Sequence, residues 1–81
     1  MLTSIHSEEW VRLATWLRER REAEGLTMRE LAARLEVPHS FVGKVEQRER
    51  RLDVVEYLIY CEALNVSPLE GMSVVRPQVS L

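Results

Sequence analysis

An all-α fold, a compact five-helix bundle, is what this sequence predicts, and three observations carry the prediction. Glycine and proline number only three each in 81 residues, and helix formers dominate the rest. Small polar residues (Ser7, Thr27, Asp53, Ser67) stand where helices begin, most with a carboxylate in the turn that follows. The stretch LTMRELAARLEVPHSFVGKVEQ, residues 26–47, divides into two short helices joined by a tight turn. Hydrophobic content of 46% and charged content of 30% suit a soluble fold. A chain of this length makes one domain and not two cores.

Residues 1–6 are expected to be a flexible lead, and His6 within it has no metal-ligand spacing around it. Ser7 caps a first helix, with Glu8 and Glu9 in the turn where carboxylates suit the helix dipole. Trp10, Leu13, Ala14 and Leu17 form its buried stripe. Trp16 lies about 100° from that stripe and is expected to be partly exposed. Arg21 projects from the stripe itself, where a cation needs a partner. Gly25 ends the helix in the left-handed conformation.

Thr27 and Glu30 have the spacing of a capping box, so a second helix starts at Met28 and carries Met28, Leu31, Ala32 and Leu35 on one face. The turn after it needs a residue at positive φ. Glu36 stands there, at a cost of roughly 1 kcal/mol if that conformation is kept. A register shift of one residue is the alternative, and it would move the next helix. That third helix opens at Pro38, which suits a first turn, and runs to Gln47. Phe41, Val42 and Val45 gather on one side of it. Ser40, Gly43 and Gln47 face the other way, flanked by His39 and Lys44. A hydrophobic back thus holds a front of donors and acceptors small enough to enter a groove. Gly43 lets that front approach a ligand closely or, equally, lets the helix pack tightly on the second helix.

Asp53 and Glu56 repeat the capping spacing and open a fourth helix that runs through Leu64. Val54, Tyr57, Leu58, Cys61 and Leu64 form its expected inner face. Val55, Ile59 and Tyr60 fall outside that face, and a helix apolar nearly all round is buried on more than one side. These three residues are therefore the expected subunit interface. Asn65 ends the helix, and Ser67-Pro68 starts a short fifth one reaching about Met72. The domain is expected to span residues 7–72. Residues 73–81 form a tail in which β-branched Val74, Val75 and Val79 suggest an extended arm.

Catalytic and metal chemistry find no support. His6 and His39 are unrelated in position, and glycine-rich phosphate loops, H-E-x-x-H and C-x-x-C are lacking. Neither a metal nor a cofactor is expected. Cys61, the single cysteine, lies in the apolar run YLIYC and is expected as a buried small side chain in a reducing cytoplasm. No basic-then-apolar leader opens the chain, and no apolar run approaches the ~20 residues that cross a bilayer. The net charge of −2 is unusual for a nucleic-acid binder, but its distribution is not. Residues 26–52 carry six Arg or Lys against four Glu, while residues 53–81 carry one Arg against four acids. The positive charge is concentrated around the third helix.

Leu17-Arg18-Glu19, Arg21, Gly25-Leu26-Thr27, Glu30-Leu31-Ala32, Leu35, Val37, Ser40, Val42, Val45-Glu46, Leu58, Ala63-Leu64, Val66-Ser67 and Leu69 together carry a resemblance. Over roughly residues 11–72 the sequence resembles the Cro/C1-type (Xre-like) helix-turn-helix domain. It departs from that pattern at Met28, where Gln is usual, at Glu36, where Gly is usual, and at Arg51-Leu52, where Asn-Pro is usual. The resemblance implies a sequence-specific, repressor-like transcriptional regulator that binds double-stranded DNA as a homodimer on an inverted repeat. His39, Ser40 and Lys44 are the expected base contacts. Thr27, Met28, Gln47, Arg48, Arg50 and Arg51 are the expected backbone contacts, although Met28 lacks the donor that a Gln would supply. Arg21 and Glu46 are implied as a structural ion pair. A protein-binding helical adaptor, or an antitoxin-type partner module docking through Trp16, Val55 and Ile59, is the alternative. Salt separates the two, because counterion release makes DNA binding steeply salt-dependent.

Overall fold

The structure, a computed structural model, describes residues 7–78; the expected lead and Val79 lie outside the described residues. Its elements in order are α1 (Glu8–Ala23), α2 (Met28–Leu35), α3 (His39–Glu46), α4 (Val54–Leu64) and α5 (Pro68–Val75). Among the described residues there is no strand.

Each helix begins where a side chain takes over an orphaned N–H, α3 excepted. The Ser7 Oγ accepts from the Trp10 N–H at 3.2 Å. Thr27 Oγ1 accepts from the Glu30 N–H at 3.1 Å while Glu30 Oε1 accepts from the Thr27 N–H at 2.8 Å. Asp53 and Glu56 make the same reciprocal pair at 2.7 and 2.9 Å. α3 has no such side-chain cap; Pro38 stands just outside it in extended conformation rather than within its first turn.

Four helices end alike. Gly25, Glu36, Arg48 and Asn65 all have positive φ, between 58° and 75°. At each, the left-handed residue and its successor donate backwards into the last helical turn, as when Glu36 N–H bonds Ala33 O and Val37 N–H bonds Ala32 O. This is the Schellman arrangement, which satisfies carbonyls that a helix end leaves free. Glu36 keeps the left-handed turn, so the register of α3 does not shift.

The core joins all five helices. Leu17, Leu31, Val42, Val45, Tyr60, Cys61 and Leu64 are its largest fully buried members. α5 packs along α1, α3 along α2, and α4 closes the space between α2 and α5. Burial pushes the Cys61 thiol pKa up.

Four expectations fail, for connected reasons. Tyr60 is 1% exposed, not a surface residue, whereas Val54 and Leu58, assigned to the inner face, are exposed at 75% and 47%. Burying two aromatic rings removes more apolar surface than burying Val54 at the helix start, so α4 is rolled to bring Tyr57 and Tyr60 inward together. Trp16 is 9% exposed because α5 lies over it. Val74 and Val75 are not in an extended arm; they form the last turn of α5 and pack against the core. Arg12 Nη2 donates to Val75 O at 3.0 Å, and Arg76 pairs with Glu9, which ties this end of α5 to α1.

Candidate nucleic-acid interface

α3 presents one open side. His39, Ser40, Lys44 and Gln47 are all exposed, and Gly43 lies among them. The opposite side is closed, with Val42, Val45 and Glu46 buried and Phe41 partly so. The Thr27 cap and the start of α2 stand beside the front. Met28 is 37% exposed, and its Sδ lies 3.9 Å from where a Cβ on Gly43 would be. That is ordinary contact distance, so Gly43 is not required for helix packing.

A buried ion pair fixes α3 from behind. Arg21 Nε donates to Glu46 Oε2 at 2.6 Å and Nη2 to Oε1 at 3.1 Å, while Nη1 caps Leu26 O at 2.7 Å. The Glu46 carboxylate raises the Arg21 pKa further above its ordinary value. One guanidinium thus joins α1, the loop before α2, and the end of α3.

The basic loop after α3 divides its arginines. Arg48 and Arg51 are exposed, and Arg51 Nη2 also reaches Ser7 Oγ at 3.3 Å. Arg50, another expected backbone contact, is half-buried and engaged within the fold. Its guanidinium grips Glu56 at 2.8 and 3.2 Å, donates to Arg51 O, and sits 4.4 Å over the Phe41 ring. Its hydrogen bonds are the main reason the Glu56 carboxyl lies below the usual 4.5. Arg50 therefore pins α3 to α4. The pattern of a bulky aromatic on the back of α3, nine residues before a forked cation, was the available signal for this role.

A helix-turn-helix family pattern matches residues 17–70, two thirds of the chain. The chain belongs to the Cro/C1-type helix-turn-helix family. Solved structures agree. An XRE-family like protein from Pseudomonas syringae pv. tomato is 41% identical, with a TM-score of 0.82 over 94% of this chain and 93% of that one. The restriction-modification controller protein C.AhdI from Aeromonas hydrophila is 34% identical, with a TM-score of 0.74 over 80% of this chain and 98% of its own. The clp gene regulator ClgR from C. glutamicum shares the fold at 22% identity, with a TM-score of 0.78 over 94% of this chain and 99% of its own. No curated protein sequence matches the chain significantly. The chain is a DNA-binding transcriptional regulator of this helix-turn-helix family and not an enzyme.

In this Cro/C1-type domain, the base-contact candidates His39, Ser40 and Lys44 share one face, with the backbone candidates Thr27, Met28 and Gln47 beside them. Arg48 and Arg51 follow in the loop, where Arg50 is paired with Glu56. The interface candidates Val55 and Ile59 are exposed on α4; Tyr60 is not. Among the described residues no group of His, Cys, Asp and Glu could hold a metal, and no helix is long and apolar enough to cross a membrane.

Proposed function

We propose that the protein is a sequence-specific regulator that binds an inverted-repeat operator as a homodimer, with α3 in the major groove. The observation that carries this reading is the exposed polar front of α3, backed by the buried Arg21–Glu46 pair that fixes its orientation. Lys44 donates to guanine acceptors, His39 to guanine or phosphate, and Ser40 serves in either role. Thr27, Gln47, Arg48 and Arg51 hold the backbone and set register without reading sequence.

The dimer reading rests on α4. Val54, Leu58, Val55 and Ile59 form a continuous exposed apolar strip, with Leu69 of α5 also exposed. Two copies meeting there on a two-fold axis would carry two α3 helices to half-sites about one turn of DNA, ~34 Å, apart. Val54 and Leu58 take the place of the buried Tyr60 beside Val55 and Ile59 in the proposed interface.

Selection from random duplexes tests binding, symmetry and sequence together, and an asymmetric or featureless selected pool refutes the reading. On the selected operator, Lys44→Ala should relax base choice at one position. Arg48→Ala should weaken all sequences alike and reduce the salt slope by about 1. Equal losses on every duplex for both variants would overturn the assignment of roles. Ile59→Asp should sediment as a monomer; a wild type already monomeric at high micromolar concentration refutes the interface.

A further inference from the structure

The Met28 side chain occupies an unusual place for an apolar group. It stands at the first position of α2, where the Thr27–Glu30 capping box fixes its backbone. From there its thioether reaches the bare surface that Gly43 leaves in the middle of the polar front of α3. It is neither buried in the core nor free of α3. A thioether donates no hydrogen bond and accepts only weakly, so it offers little to a phosphate or to a base donor.

The edges of bases in the major groove carry one apolar feature, the C5-methyl of a pyrimidine. An apolar side chain set beside a gap in a row of polar ones is matched to that feature. Gly43 supplies the gap, and Met28 supplies its apolar wall.

We propose that Met28, seated against Gly43, reads a pyrimidine C5-methyl group in each half-site and is a specificity-determining residue. The proposal rests on the DNA-binding reading above and adds a base-selective contact to it. Thymine supplies this methyl in ordinary DNA and 5-methylcytosine in modified DNA.

The test uses the full chain and the selected operator in anisotropy titrations. Thymines are replaced singly by uracil in one arm, and cytosines by 5-methylcytosine in the other. At one position per half-site the wild type should lose about fourfold in affinity when the methyl is removed, or gain as much when it is added, the worth of one buried methyl group. The first arm responding identifies thymine as the source, and the second identifies methylated cytosine. Met28→Leu should keep the dependence. Met28→Gln, similar in size but polar, should bind the methylated and unmethylated duplexes alike. A selected operator that tolerates every replacement, or a dependence that persists unchanged in Met28→Gln, overturns the role of Met28 while leaving the regulator reading intact. A protein that selects no duplex overturns both.

Discussion

The helix-turn-helix and the α4–α5 pair occupy similar lengths of chain and are held in place by different physics. Both pairs have a capping box and a left-handed turn closed by backbone hydrogen bonds; what α2 and α3 add is a buried guanidinium–carboxylate pair behind the polar front of α3. What α4 and α5 add is bulk. Two tyrosines and a tryptophan choose which side of each helix turns inward, and one missing methyl lets α5 approach. Directional bonds aim the part proposed to match a rigid ligand, while packing positions the part that carries the exposed apolar strip.

Removing the polar device should have the largest effect. Arg21→Met leaves the almost fully buried Glu46 carboxylate without its partner and uncaps Leu26 O. The expected cost is about 3–5 kcal/mol in urea unfolding. Replacing both members, Arg21→Met with Glu46→Leu, should recover most of it, because no unpaired charge remains. A double variant as unstable as the single would show that shape, not charge, holds α3.

The packed half should respond less, and to addition rather than removal. A Cβ on Gly71 would collide with the Tyr57 hydroxyl and lie 2.7 Å from Trp16 Cζ3. Gly71→Ala should therefore cost about 1–3 kcal/mol by overpacking. Adding Tyr57→Phe removes the nearest colliding atom but also the hydrogen bond from Tyr57 Oη to Pro68 O, 2.6 Å long. Rescue should be partial. Thermal melts of the single and the double variant check this, and an unchanged melting temperature for Gly71→Ala would mean that α5 yields freely.

The same division explains what could be read in advance. Ser7, Thr27 and Asp53 announce helix starts because a cap is a local event between residues three apart, and the structure keeps all three. The α3 front was legible from periodicity alone. The roll of α4 was not, since Val54, Leu58 and Tyr60 are all apolar enough to be buried and only the neighbouring helices decide between them. Trp16 and Val74 were misplaced together, because the length of α5 and the cover over α1 are one fact. Arg48 hides a left-handed backbone behind an ordinary charge, and Arg50 looked like its neighbours until Phe41 and Glu56 were brought beside it.

The smallest effect concerns the matching turns inside the two helix pairs. Glu36 and Asn65 hold nearly the same left-handed conformation, φ 58° and 62°, after α2 and α4. Asparagine visits that region with modest strain, whereas a glutamate gains nothing there and sets its carboxylate against the negative end of the α2 dipole. Glu36→Gly should therefore stabilise the fold by about 1 kcal/mol, and Asn65→Gly by clearly less. Glu36→Gln separates the two causes: it keeps the strained backbone and removes the charge, so it should gain only a few tenths of a kcal/mol. Equal gains for Gln and Gly in chemical denaturation would assign the cost to charge. A loss for Glu36→Gly would mean that the freedom it adds to the unfolded chain outweighs the strain it relieves, and that the turn is set by its hydrogen bonds to Ala32 O and Ala33 O.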